Sequence, residues 1–175
     1  MDISVPLINR SGGKPDQVGV LVRSLETVIQ RYGTASVVPP WRIWTYSEAS
    51  MSRLVVRGQP GRFSWRIALG GSDPQIELME LIQPVRGPSI YQEWIETRGF
   101  GLHHLGYVVE DLDGAIAEME GAGYEVLQAG FGQGADGTGG FAYFNTEETL
   151  GFIVEAILFP RVRRPPESVW PTHTP

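Results

Sequence analysis

Two stretches of the chain share one pattern of apolar and polar positions. Residues 17–26 (QVGVLVRSLE) match residues 104–113 (HLGYVVEDLD), 87 positions later, glycine to glycine and apolar to apolar. In each copy the apolar run predicts a strand, a polar residue predicts a helix N-cap, and apolar residues three and four apart predict an amphipathic helix. A second match, MELI at 79–82 and VEAI at 154–157, closes each copy. The chain is therefore predicted to contain one supersecondary unit twice.

The repeat divides the chain into two halves, each a strand, a helix and then several strands. The first half is about 12 residues longer than the second, and we expect the extra residues around 37–59. Apolar residues at helical spacing predict a linker helix between the halves, and four prolines predict an extended tail. The predicted parts are an N-terminal extension (1–15), a first module (16–86), a linker helix region (87–101), a second module (102–160) and an extended C-terminal tail (161–175).

Composition and charge narrow the possible functions. The 175 residues include no cysteine, which excludes thiolate zinc sites, iron–sulfur clusters and cysteine nucleophiles. The only lysine, Lys14, lies in a turn-like stretch, a poor place for a Schiff-base lysine. The net charge of −6 argues against nucleic acid, and no run approaches the roughly 20 apolar residues of a membrane span. With no secretory signal pattern, we expect a cytoplasmic protein with a small-molecule substrate and no nucleic acid or membrane partner.

One carboxylate stands inside a strongly apolar predicted strand. An uncompensated charge at Glu155 would be costly, so a cation is expected beside it. In the repeat, Glu155 matches Glu80 and His104 matches Gln17, and a pseudo-twofold axis between the halves would bring all four residues together. Each offers an oxygen or nitrogen ligand for a divalent metal ion. Glu77 is a competing carboxylate, but it has no counterpart in the second half and faces away from Glu80 in a regular strand.

The neighbours of these residues fit the same hypothesis. Strand alternation places Gln17 on the side of Gly19 and His104 on the side of Gly106, and glycine leaves room above the site. His103 is expected to be structural or to support a metal ligand.

Aromatic residues cluster in the strands that would form the wall beside this site. Most must belong to the core, but strand alternation allows one set to line a cavity, which favours a bulky apolar or aromatic substrate. Arg66 is predicted to hold a substrate carboxylate or phosphate, or else to be a solvated strand residue. The predicted substrate-binding residues are Arg66, Trp41, Trp44, Trp65, Phe141 and Tyr143.

The sequence resembles the vicinal oxygen chelate superfamily, also called the glyoxalase and bleomycin-resistance fold, over roughly residues 16–159. Its most specific motifs are GLHH at 101–104, GTGG at 137–140 before a predicted strand, and Glu155 in the last strand. These are similar to the methylmalonyl-CoA epimerase branch. The resemblance implies an α+β fold in which two βαβββ modules form a cupped, partly closed mixed sheet around one metal ion.

The same resemblance implies which residues hold the metal. In the epimerase branch the ligands fall at the positions of Gln17, Glu80, His104 and Glu155. Gln17 stands where the family usually has histidine. Arg66 aligns with a carboxylate that the epimerases use as a base, and a guanidinium cannot take that role.

A divalent ion held in this way would leave positions open for two neighbouring substrate oxygens and would stabilise an enolate. One imidazole and three oxygen donors favour Mg, Mn, Co or Ni and allow Zn. We expect a homodimeric metal-dependent isomerase, epimerase or lyase, with Glu155 or Glu80 as the catalytic base. The alternative is a binding or sequestration protein of the same fold without chemistry. A ring-cleaving dioxygenase is less favoured because position 17 is not histidine.

Overall fold

The structure is a computed structural model that describes residues 4–35, 40–71 and 78–171. The first half contains α1 (Pro6–Arg10), β1 (Gln17–Leu21), α2 (Leu25–Ala35), β2 (Trp41–Ser47), β3 (Arg53–Val56), β4 (Gln59–Pro60), β5 (Ser64–Gly70) and β6 (Met79–Arg86). The helix α3 (Ile90–Arg98) links it to the second half. The second half contains β7 (Gly101–Val108), α4 (Leu112–Gly121), β8 (Val126–Phe131), β9 (Gly140–Phe144), α5 (Glu147–Leu150) and β10 (Ile153–Leu158), and β11 (Ser168–Trp170) follows.

The strands of the described ranges form one mixed sheet, in the order β11-β2-β5-β6-β1-β7-β10-β9-β8-β3-β4. The two halves have equivalent orders, β1-β6-β5-β2 and β7-β10-β9-β8, and in each the first strand is parallel to the last. At the centre β1 and β7 pair antiparallel, as a twofold axis between the modules requires. The α+β fold of two βαβββ modules in a curled, partly closed mixed sheet is therefore confirmed.

Alternate strand residues supply two separate apolar layers. Trp65 and Phe141 face the concave side, where they pack with Tyr91 of the linker helix. On the convex side, α2 covers the first module and α4 covers the second, with Leu25 and Met119 fully buried beneath them. The concave layer is the one that surrounds the predicted site.

Side-chain caps begin the helices where the sequence predicts them. Ser24 Oγ accepts a hydrogen bond from the Thr27 amide at 3.2 Å, and Asp111 Oδ1 accepts one from the Gly114 amide at 3.1 Å. These bonds satisfy amides that have no partner within the helix. Both helices thus start directly after the first strand of their module. No helix of the described ranges is long and apolar enough to span a membrane.

The extra residues of the first half form a hairpin that crosses to the second half. β3 pairs with β4 and, through Arg53 to Val56, with β8 of the second module. This hairpin lies at the end of the region around 37–59 where the extra residues are expected. The hairpin extends the opposite edge of the sheet, which carries part of the first half around to the second.

The two ends of the chain pack on different modules. Leu7 of α1 packs with α4, and Arg10 forms an ion pair with Glu118 at 2.7 Å. At the other end, β11 pairs antiparallel with β2. Residues 168–170 of the predicted extended tail therefore form an additional strand at the edge of the first module.

Candidate metal centre

The strand register brings the predicted ligands around the twofold axis. On the two central strands, Gln17 lies opposite Gly106 and Gly19 lies opposite His104. The neighbouring parallel strands place Glu80 beside Gly19 and Glu155 beside Gly106. Each carboxylate is thus next to a glycine on a central strand.

Side chains of neighbouring strands lie so close to Gly19 and Gly106 that only glycine fits at these two positions. A Cβ on Gly19 would overlap the imidazole ring of His104. A Cβ on Gly106 would lie 3.0 Å from Glu155 Oε2 and 2.5 Å from Ile157 Cδ1. Because the side chains of His104 and Glu155 lean across the central strands, neither position has room for a larger residue.

Three donor atoms converge at the centre of the sheet. His104 Nε2 lies 3.0 Å from Glu155 Oε2 and 3.3 Å from Glu80 Oε2. One ligand atom from each of the three residues lies within 4.8 Å of the other two. The residues are buried, with 0% of His104, 4% of Glu155 and 8% of Glu80 exposed. Gln17 is 5% exposed and lines the same cavity.

The donor set fits a divalent metal ion. His104 Nε2 and Glu155 Oε2 make no hydrogen bond of good geometry within the described residues, although the two atoms are close. Buried polar atoms are normally satisfied, so a cation between them would supply the missing interaction. Imidazole nitrogen and carboxylate oxygen are ligands for Mn, Co, Ni and Zn.

The charges around His104 determine its proton affinity. Burial lowers the pKa of His104, but the Glu155 and Glu80 carboxylates outweigh burial and raise the pKa to about 9. Without a metal the ring is therefore held as a cation between two carboxylates. A histidine nitrogen binds a metal ion only when it carries no proton, so binding at Nε2 has to displace this proton.

A β-bulge turns two consecutive histidines into the interior. Gly19 pairs with His104 and Val20 with Leu102, so His103 is an extra residue in β7, and both rings are fully buried. Nδ1 of His103 lies 3.0 Å from Nδ1 of His104. Burial and His104 hold the pKa of His103 well below its usual value. A neutral His103 can accept the Nδ1 proton of His104, which leaves Nε2 of His104 as the ligand atom.

An aromatic cavity opens directly above the convergent donors. Trp44, Trp65, Phe141 and Tyr143 lie in its wall. Tyr91 of α3 joins them, and its hydroxyl lies 3.1 Å from that of Tyr143. The cavity volume is about 60 Å³. This volume is well below the roughly 300–1,000 Å³ of pockets for drug-sized ligands. The cavity therefore favours a small ligand, although its wall is aromatic.

Two of the predicted substrate-binding residues lie on the other face of the sheet. Trp41 is fully buried on the convex side, with its ring centroid 5.6 Å from that of Tyr32. Arg66 forms an ion pair with Glu26 of α2 at 2.8 Å. Because side chains alternate along a strand, Trp65 facing the cavity forces Arg66 outward. The structure therefore corrects the placement of Trp41 and Arg66 beside the substrate.

The sequence analysis missed three polar residues of the cavity lining, namely Gln133, Arg163 and Arg164. The sequence contains three arginines within four residues, at 161, 163 and 164, but no local pattern places this part of the tail over the site. The competing carboxylate, Glu77, lies outside the described residues.

The twin modules and the buried carboxylate–imidazole group define a class of protein with a single site between two related halves. The model of the Glyoxalase/Bleomycin resistance protein/Dioxygenase superfamily matches residues 16–144, and the chain belongs to this superfamily. The match confirms the resemblance read from the sequence. No curated protein matches the sequence at a significant level.

Several solved structures share the fold. A hypothetical protein from Bacillus halodurans is 19% identical, with a TM-score of 0.60 over 86% of this chain and 97% of that chain. Methylmalonyl-CoA epimerase from Mycobacterium tuberculosis is 17% identical, with a TM-score of 0.55 over 85% and 89%. A complex of Streptomyces coelicolor methylmalonyl-CoA epimerase with 2-nitronate-propionyl-CoA is 18% identical, with a TM-score of 0.57 over 87% and 98%.

Proposed function

We propose that this protein is a divalent-metal-dependent isomerase or epimerase, or a lyase, that forms an enolate-type intermediate from a small organic acid. The observation that carries the proposal is the convergence of Glu80, His104 and Glu155 beneath an aromatic cavity. The epimerases among the structural neighbours support the same reaction class. The cavity volume of about 60 Å³ supports a small acid, whereas the aromatic wall is the feature that led to the bulky or aromatic substrate expected from the sequence.

Glu80, His104 and Glu155 would hold the ion, with Gln17 as the fourth ligand. The ion would polarise a substrate carbonyl and stabilise the negative charge of an enolate. The residues of this chain would bind and orient the acid. The buried wall around Trp65 and Phe141 would exclude water from the reacting carbon.

The general base has to come from the site itself. Among the residues that the structure describes, the carboxylates of the cavity lining are Glu80 and Glu155. Burial raises the pKa of both Tyr91 and Tyr143 well above the usual value, so these hydroxyls stay protonated and can donate hydrogen bonds. We assign proton abstraction to Glu155 or Glu80, each of which would serve as a ligand and as the base.

The test has two measurements on the same purified protein. Elemental analysis is expected to find about one divalent ion per chain. Incubation in D₂O with methylmalonate or lactate, followed by proton NMR, is expected to show exchange of the α-hydrogen of at least one acid. Glu155→Gln is expected to lose the ion and the exchange, while Glu148→Gln, on the exposed helix α5, keeps both.

One observation favours the alternative of a binding protein. The inward-facing residues of β5 are Trp65, Ile67 and Leu69, so this strand contributes no carboxylate to the cavity. An acid that binds the metal-loaded protein without any exchange of its α-hydrogen would support sequestration instead of catalysis. Absence of both metal and exchange would refute the proposed function.

A further inference from the structure

The C-terminal segment of residues 160–170, here called the strap, crosses the opening of the cavity. On one side the Arg161 amide donates to Thr138 Oγ1 and the Ala135 amide donates to the Val162 carbonyl, both at 2.9 Å. These bonds attach the strap to the loop between β8 and β9 of the second module. The strap lies beyond residue 144, where the superfamily match ends.

The far end of the strap is attached to the first module. The Glu167 amide donates to the Ile43 carbonyl at 2.9 Å, and both carboxylate oxygens of Glu167 accept hydrogen bonds from Thr45. Trp44, whose ring lines the cavity, donates from Nε1 to the Arg164 carbonyl at 3.0 Å. The strap thus joins the two modules across the cavity mouth and fixes the position of its own arginines.

Two arginines of the strap, Arg163 and Arg164, are among the residues that line the cavity. Arg164 donates to the Ser50 carbonyl at 2.7 Å and to the Gly134 carbonyl at 3.4 Å. These backbone oxygens orient the guanidinium but carry no formal charge. Arg163 lies over the Phe159 ring, 4.8 Å from its centroid. Arginine held in this way can bind a carboxylate or phosphate through two hydrogen bonds.

The charges of the lining favour an anion once the metal is bound. The acidic residues in the lining are Glu80 and Glu155, whose two charges a divalent ion would neutralise. Arg164, whose described partners are uncharged backbone oxygens, then makes the cavity lining cationic. In a chain of net charge −6, this is a local region of positive potential that would attract an anionic ligand.

We propose that the strap completes the substrate site, and that Arg163 and Arg164 select an acid carrying a second anionic group, a carboxylate or a phosphate, besides the oxygens that contact the metal. This inference rests on the proposed function and narrows its substrate class to small dianionic acids. The two charged ends of such an acid would be held by the metal site below and by the strap above.

The test compares ligands that differ in charge. Malonate and malonamide have the same carbon skeleton, but only malonate is a dianion, and phosphonoacetate replaces one carboxylate with a phosphonate. Calorimetric titration into the Mn²⁺-loaded protein is expected to show that Arg163→Gln and Arg164→Gln each weaken malonate binding by about 10- to 100-fold. Both variants should change malonamide binding by less than about threefold.

Two further variants separate charge from structure. Arg164→Lys retains the charge but loses the paired donors of the guanidinium, so it is expected to weaken malonate binding less than Arg164→Gln does. Arg161→Gln removes the same charge from an 80% exposed side chain of the strap that pairs with Asp136 outside the cavity, and it should leave malonate binding unchanged. Phosphonoacetate is expected to depend on Arg163 and Arg164 as malonate does, and the tighter of the two ligands identifies the preferred anionic group.

The inference is overturned if neither Arg163→Gln nor Arg164→Gln weakens binding of malonate or phosphonoacetate. It is also overturned if malonamide binding falls as much as malonate binding, or if Arg164→Lys is as damaging as Arg164→Gln. Failure of the proposed function gives a different result, because titration with Mn²⁺ alone measures whether the metal site exists. If no ion binds, an arginine-dependent malonate affinity of the metal-free protein would still support the strap as an anion site.

Discussion

Metal binding to this protein is expected to release one proton and to strengthen as the pH rises. His104 is held between Glu80 and Glu155, which raise its pKa to about 9. At pH 7 the ion must displace a proton from almost every molecule, which weakens the apparent affinity by about 100-fold, or about 3 kcal/mol. The affinity should therefore rise about tenfold for each pH unit up to about pH 9 and then become constant.

Calorimetry provides the measurement. Titration of metal-free protein with Mn²⁺ at about pH 7, in buffers of different ionisation enthalpy, counts the protons released for each ion bound. Repeating the titration from about pH 6.5 to about pH 8.5 gives the slope of affinity against pH. The control is His104→Gln, which keeps an oxygen ligand but has no proton to lose, so its affinity should be nearly independent of pH in this range.

The reasoning is refuted by a wild-type affinity that does not change with pH. It is equally refuted by release of less than about half a proton for each ion at pH 7. Either result would mean that His104 is not a ligand, or that the two carboxylates do not hold it in the charged form.

The remaining predictions concern stability, packing and the convex face. In metal-free protein the raised pKa of His104 stabilises the fold fully below about pH 6.5, and this stabilisation is lost as the pH rises through about 9. Urea unfolding should therefore show that the free energy of unfolding falls by up to about 3 kcal/mol over this range, and His104→Gln should not show this fall. Gly19→Ala should displace the His104 ring, destabilise the fold by about 1–3 kcal/mol and reduce Mn²⁺ affinity at least tenfold, measured by thermal unfolding and titration. Gly121→Ala, which meets no atom within 4 Å, is the matched control and should do neither. Arg66→Gln should leave Mn²⁺ and malonate affinity unchanged in calorimetry, and a loss of either would contradict its placement on the convex face.

The sequence was sufficient to predict the fold and the convergence of the two glutamates and the histidine because both follow from one repeat. When Gly19 and Gly106 are equivalent and their strands pair antiparallel, the twofold axis brings Glu80 and Glu155 to the same place. A ligand position predicted in one module can then be checked against the equivalent position in the other module. The repeat does not predict the bulge at His103, where one inserted residue changes which side chains of β7 face the interior and leaves no signal in the apolar pattern.

Two errors could have been avoided with the same rule that located the site. Trp65 and Arg66 are neighbours in β5, so they cannot both face the cavity, and Trp41 is separated from Trp44 by an odd number of positions. Strand alternation, applied to the aromatic residues as it is to the metal ligands, places Trp41 and Arg66 on the convex face of the sheet, away from the cavity. The error came from treating residue type as sufficient for a role in binding.

The closure of the cavity depends on contacts that no local pattern encodes. The hairpin of β3 and β4 leaves its own module to pair with β8, and the strap returns from β10 to pair with β2. Each contact joins residues far apart in sequence, and each is set by which sheet edge remains unpaired after the modules assemble. The repeat therefore predicts the metal ligands, which lie on strands common to both halves. The residues proposed to select the substrate, Arg163 and Arg164, lie on the strap, a segment that the repeat does not contain, so the search for the substrate should begin with them.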